Sequence, residues 1–175
     1  ATLHRMGATN KDKGALDQAE RLYNQCLDRD PNHTDCYRGL AVLLVETNRT
    51  DRAFTLLKNW AIRSPQNPDP RVEIARMYEE FGDKKTAELQ LQQAIQLDQS
   101  NPRAWAALAS LREGAGDYQQ AMANYQRAFS LNNYNTAVAN RIAALNKATG
   151  TSTGTTPTQP SGTRTVNANV PSARY

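Results

Sequence analysis

The sequence predicts an all-α protein built from stacked pairs of helices. Alanine returns every 34 residues without insertion or deletion, at Ala19, Ala53, Ala87 and Ala121. Turn-forming residues that tolerate a left-handed backbone return in the same register, at Gly14, Asn48, Gly82 and Gly116. A fixed period of this size is typical of a solenoid, in which each unit buries its apolar face against its neighbours.

Each unit is predicted to hold two antiparallel helices, because apolar residues recur at steps of three and four, as in Ala87, Leu91 and Ala94. The predicted helices cover residues 2–12, 15–28, 34–46, 51–63, 69–80, 84–97, 102–114 and 118–131. Proline and asparagine occupy most of the connections between them. A last helix, about 137–147, repeats only the first half of the unit, which is the form expected of a capping helix.

One tryptophan departs from the repeat pattern. Trp60 stands in the column that holds Ala94 and Ala128 in later units. A large ring at a small position should separate neighbouring helices or fold under the nearby prolines, which is a structural role. The alternative is an exposed anchor for a partner, because tryptophan is common at binding hot spots.

Composition argues against several classes of function. The net charge is +4, but basic and acidic residues interleave along the repeats, so nucleic-acid binding is not favoured. No apolar run approaches 18 residues, so no transmembrane segment is expected. No catalytic constellation or cofactor motif is present, and His33 with Cys36 lacks the further ligands of a zinc site. We therefore expect no enzyme activity, cofactor or metal.

Several segments of the chain carry a family pattern. Residues 105–109 (Trp-Ala-Ala-Leu-Ala), 116–118 (Gly-Asp-Tyr) and 121–125, together with Ala128, resemble the tetratricopeptide-repeat family. The resemblance covers residues 1 to about 147. It implies a domain over 1–148, a right-handed superhelical solenoid of four repeats at about 1–33, 34–67, 68–101 and 102–135, closed by a capping helix at 136–148.

The resemblance also bears on the two cysteines. By the family's packing, Cys26 faces the next unit and Cys36 begins the helix that lies against it. The two could form a disulfide or remain two small buried thiols. A bond would favour an oxidising compartment, such as the cell envelope or the extracellular space.

The resemblance further implies a non-enzymatic scaffold that binds a peptide or protein segment along its concave face. The groove positions of the family fall in three units, on Asp35, Arg38, Val42, Val45, Glu46, Asp69, Val72, Arg76, Glu79, Glu80, Arg103, Ala106, Ser110 and Glu113. Such a mixed groove suits a ligand that carries both charges and small apolar anchors. An ordinary solvated face is the alternative.

Some relatives hold acidic chaperone C-termini in a clamp of Lys, Asn and Arg. In one register, the aligned positions here include Gly39, Asp69 and Glu73, and a shift of one unit gives Val42, Glu73 and Arg103 among others. Neither set suits a carboxylate. A chaperone-tail function is therefore not expected.

Residues 149–175 form a tail that contains no Asp, Glu, Lys or Leu and is rich in Thr, Gly, Ser and Pro. Such composition favours a linker or a solvated terminus. The alternative is a tail that docks in a groove, with anchors at Val166, Val170, Pro171 and Tyr175. Docking on a neighbouring molecule would make the protein a structural subunit that assembles into an oligomer or filament.

Overall fold

The computed structural model of the chain describes residues 10–150, with the side chains of residues 10–12 and 149 left out. Within that range all regular structure is helical, which confirms the all-α prediction. The helices are α1 (Asn10–Arg29), α2 (Thr34–Glu46), α3 (Thr50–Arg63), α4 (Asp69–Glu80), α5 (Lys84–Leu97), α6 (Pro102–Glu113), α7 (Tyr118–Leu131) and α8 (Thr136–Thr149). No helix of this part of the chain is both long and apolar enough to cross a membrane.

The helices stack in chain order. Each helix packs against the next, and α4 also contacts both α2 and α6. The first helices of three successive pairs therefore lie side by side. We call the surface that they form the α2–α4–α6 face.

Three of the four predicted turn positions adopt left-handed backbone. Asn48 has φ 59°, Gly82 has φ 84° and Gly116 has φ 83°, each just after a helix. Gly14 differs, because α1 runs through it without a break. The predicted separation of helices 2–12 and 15–28 is therefore wrong over the described residues; residues 1–9 lie outside them. Glycine permits a turn but does not require one, and among the described residues no side chain or neighbouring helix approaches within 4 Å of the Cβ position at Gly14.

Short polar side chains fix the starts of the later helices. Asp83, Asn101, Asp117 and Asn135 each accept a hydrogen bond from a backbone N–H in the first turn of the helix that follows. These bonds satisfy donors that the helix itself leaves unpaired. The helix registers of α5 to α8 are therefore set by local sequence.

The core contains the repeated alanines and the large residues that lie four positions after them. Ala53, Ala87 and Ala121 have no exposed surface, and Leu57 and Leu91 beside them have at most 1%. Small residues thus admit large ones from the facing helix. At the C-terminal end, Val138 and Leu145 bury α8 against the solenoid.

Trp60 lies inside this core. It is fully buried and stacks on Tyr37. Its Nε1 donates a hydrogen bond to Asn32 Oδ1 at 3.1 Å, in the loop before α2. The structural interpretation of Trp60 therefore holds, and the alternative of an exposed binding anchor is wrong.

Candidate functional site: the α2–α4–α6 face

A buried carboxylate organises the α2–α4–α6 face. Glu73, on α4, is only 3% exposed. It accepts hydrogen bonds from Arg38 Nε on α2, at 3.3 Å to each carboxylate oxygen, and from Arg103 Nη2 on α6. A buried charge is tolerated when it is paired and hydrogen-bonded. Glu73 therefore ties three successive helices together.

The sequence predicts Arg38 and Arg103 as residues of this face. It does not predict Glu73 there and names it only as a clamp position that does not suit a carboxylate. The units on either side carry Gly39 and Ala107 at the same repeat position, so the carboxylate is an exception between two small residues. That exception is the one signal in the sequence that could have identified it.

A second carboxylate joins the starts of the same helices. Asp69, at the start of α4, accepts hydrogen bonds from Thr34 Oγ1 at 2.7 Å, Asn101 Nδ2 at 3.2 Å and Arg103 Nη1 at 3.4 Å. Its oxygens are therefore engaged by protein donors. Asp69 positions helices and presents little free charge to a ligand.

Arg76, an exposed residue of α4, is distinguished on this face by the lack of an ion pair within the described part of the chain. Arg38 and Arg103 are paired with Glu73, whereas Arg76 has no carboxylate within ion-pair distance among residues 10–150. Desolvation lowers its pKa, the attraction of Glu73 opposes that shift, and repulsion from Arg38 adds to it. The guanidinium stays charged at neutral pH. It is therefore available to an acidic group of a ligand.

A cavity of about 210 Å³ adjoins this guanidinium, between α2 and α4. Its apolar lining includes Val42, Val45 and Met77. Its charged lining residues are Arg38, Glu73, Arg76 and Glu80. Val42 is 41% exposed, unlike the fully buried core residues. The combination can hold a small apolar side chain with charged groups beside it.

The remaining predicted groove residues differ in solvent exposure. Asp35, Glu46, Glu80 and Ser110 are exposed, and Ala106 is half-buried. Glu79 is half-buried, and desolvation raises the pKa of its carboxyl against the opposing effect of Arg76. These side chains share the helices of the face, but only Glu80 also lines the cavity.

Two further predicted groove residues, besides Arg38, Asp69 and Arg103, are already engaged with the protein. Val72 is fully buried in the core cluster with Ala87 and Leu91, so its assignment to the groove is wrong. Glu113 accepts hydrogen bonds from Tyr125 Oη at 3.0 Å and Arg141 Nε at 3.1 Å, which joins α6 to α7 and α8. The spacing of the sequence predicts which helix holds each residue. It does not predict how that helix is rotated about its own axis.

The structure joins Cys26, late in α1, to Cys36, early in α2, in a disulfide. Their Cα atoms lie 6.4 Å apart, within the usual range for such bonds. His33 stands next to them as the N-cap of α2, and its Nδ1 accepts from the Cys36 N–H at 3.4 Å. The predicted tail anchors Val166, Val170, Pro171 and Tyr175 lie outside the described residues, and self-assembly through the tail stays a prediction.

Comparison with known proteins agrees with this architecture. Sequence models described as tetratricopeptide repeat match residues 12–62 and 48–111, and a further one matches residues 102–135. The matches together span well over half of the chain. The protein belongs to the tetratricopeptide-repeat family, as the sequence predicted. No curated protein matches it in sequence.

Solved structures share the fold at low sequence identity. A thermophilic tetratricopeptide-repeat protein from Thermus thermophilus is 22% identical, with a TM-score of 0.61 over 82% of this chain and 79% of the other. MamA is 21% identical, with a TM-score of 0.56 over 83% and 85%. The first such domain of Spaghetti (RPAP3), bound to the HSP90 peptide SRMEEVD, is 18% identical, with a TM-score of 0.58 over 67% and 95%.

The family and the fold together define the class of protein. Tetratricopeptide repeats are protein-interaction scaffolds and are generally non-enzymatic. A binding surface is therefore the expected functional site.

Proposed function

We propose that this chain binds an extended protein segment along the α2–α4–α6 face. The segment places a small apolar side chain in the cavity beside Val42 and an acidic side chain against Arg76. The observation that carries the proposal is Arg76, which makes no ion pair within residues 10–150, beside a cavity of apolar and charged side chains on a face where Arg38 and Arg103 are paired with Glu73.

The ion cluster around Glu73 supports a preformed surface. Arg38, Glu73 and Arg103 link α2, α4 and α6 by direct hydrogen bonds. A site held in place before binding loses less freedom when the ligand arrives. Extended peptides gain affinity from such grooves through spaced side-chain pockets.

The proposed ligand differs from a chaperone C-terminus. The RPAP3 domain shares the fold and was solved with the peptide SRMEEVD. In this chain, the aligned clamp positions include Gly39, Asp69 and Glu73, and both carboxylates already accept hydrogen bonds from arginine. A terminal carboxylate would meet like charge there. We therefore propose an internal acidic residue as the group that meets Arg76.

Selection from a displayed library of random twelve-residue peptides on the immobilised full chain tests the proposal. Selected peptides should share an acidic residue near a small apolar residue. Their affinity, measured by calorimetry, should fall at least about tenfold in Arg76→Glu, because attraction becomes repulsion. Val42→Asp should weaken binding to a similar degree, because it places a charge beside the apolar cavity.

Arg52→Glu is the matched control. Arg52 is an exposed arginine on α3, beside a separate depression between α1, α2 and α3. The substitution changes the net charge as Arg76→Glu does, but away from the proposed groove. If peptides bind Arg76→Glu as tightly as the unaltered chain, or lose as much affinity in Arg52→Glu, the proposed site is wrong.

A further inference from the structure

The disulfide and His33 form a compact group of three ligand-type side chains at the α1–α2 turn. One ligand atom from each of Cys26, His33 and Cys36 lies within 4.8 Å of the other two. By sequence alone, His33 and Cys36 are a pair with too few ligands for zinc. The structure adds the third member, seven residues before His33.

The distances suit a zinc ion once the cysteines are reduced. Tetrahedral zinc binds sulfur at about 2.3 Å and imidazole nitrogen at about 2.0 Å, which requires ligand atoms about 3.5–3.8 Å apart. The three side chains already lie in a space of nearly that size. Once the sulfur–sulfur bond is broken, rotation of the cysteine side chains must move the two sulfurs apart to this distance.

The backbone of the turn holds these residues in place independently of the disulfide. The N–H of Asp30 donates to Cys26 O at 2.9 Å, and the N–H of His33 donates to Asp30 O at 3.1 Å. The N–H of Cys36 donates to His33 O, also at 3.1 Å. These bonds link the three ligands in series. The ligand set should therefore persist when the sulfur–sulfur bond opens.

We propose that the reduced form of this turn is a zinc site with Cys26 Sγ, Cys36 Sγ and one His33 nitrogen as ligands. Water completes the tetrahedron, as in other three-ligand sites. The imidazole has two nitrogens, so metal binding can coexist with its role as the cap of α2. The turn thereby has two alternative cross-links, a disulfide or a metal ion.

Conversion between them is a thiol–disulfide exchange followed by metal binding. Two molecules of a thiol reductant convert the disulfide to two cysteine thiols and leave as one oxidised disulfide. Zinc then binds both sulfurs as thiolates, and two protons are released. The proposal does not depend on the peptide-binding face.

The test uses the full chain, reduced without oxygen and freed of reductant, titrated with Zn²⁺ against a chromophoric chelator. We expect one zinc per reduced chain and none on the oxidised chain. Co²⁺ in place of zinc should show thiolate-to-metal absorption. Cys36→Ser should weaken zinc binding by at least about a hundredfold, because it removes a thiolate ligand.

His33→Asn is the decisive variant. Asparagine is a strong helix N-cap, so α2 keeps its cap while the imidazole is lost. Circular dichroism checks that the helices remain. We expect zinc affinity to fall at least about tenfold. Failure of the reduced chain to bind one zinc would overturn the proposal, as would equal binding by the oxidised chain or unchanged affinity in His33→Asn.

Discussion

The ring of Tyr37 on α2 stacks on the ring of Trp60 on α3, with centroids 4.0 Å apart and planes 6° from parallel. Trp60 also donates to Asn32, whose Oδ1 accepts from Ser64 Oγ at 2.7 Å. One buried ring therefore connects α2, α3 and the loops at their ends.

Trp60→Ala should lower the free energy of unfolding by about 3–5 kcal/mol, because it opens a cavity where the ring is fully buried. Trp60→Phe keeps an aromatic ring but loses the hydrogen bond to Asn32. It should lower the free energy of unfolding by about 1 kcal/mol beyond the loss that comes from burying less apolar area. Urea denaturation measures both. An unchanged midpoint in Trp60→Ala would show that the ring is not in the core.

Trp60 illustrates which features the sequence could predict. The 34-residue register predicted α2 to α7 within about one residue, because caps, turns and apolar spacing are local. The partners of Trp60 and Glu73 lie 23 to 35 residues away along the chain. Such contacts depend on how each helix is rotated against its neighbours. A repeat column does not encode that rotation, and Val72 was misplaced for the same reason.

Substitution by alanine should change the stability of the protein in opposite directions at Gly14 and at Gly39. Gly14 lies inside α1, and none of the described neighbours approaches its Cβ position, so Gly14→Ala should stabilise the protein by about 0.5–1 kcal/mol. A Cβ at Gly39 would overlap the Tyr23 ring of α1, so Gly39→Ala should destabilise it by about 1–3 kcal/mol. Thermal unfolding compares the pair. Loss of stability in Gly14→Ala would argue for a turn at residue 14.

Ala87 tests the packing of small against large residues. Its side chain is fully buried beside Leu91 and other core residues. Ala87→Leu should overfill this space and cost about 1–3 kcal/mol. Ala123→Leu, at an exposed position of α7, is the control and should change stability by less than about 0.5 kcal/mol. Equal denaturation midpoints for the two variants would contradict the predicted register.

Glu73 tests the ion cluster. Glu73→Gln removes the charge that two arginines share and should cost about 2–3 kcal/mol. Glu88 is a surface counterpart, since its 3.3 Å pair with Arg112 involves a carboxylate side chain that is 41% exposed. Glu88→Gln should lower the free energy of unfolding by less than about 1 kcal/mol. At high salt it should have no effect, because salt screens the exposed ion pair. Similar losses in both variants would show that burial adds nothing to the cluster.

We propose above all that a protein segment binds along the α2–α4–α6 face. Amide chemical shifts of the isotope-labelled full chain, followed while a selected peptide is added, test it most directly. We predict shifts at Val42, Arg76 and Ser110 that saturate together. Shifts confined to α3, α5 and α7, with those three amides unmoved, would contradict the claim.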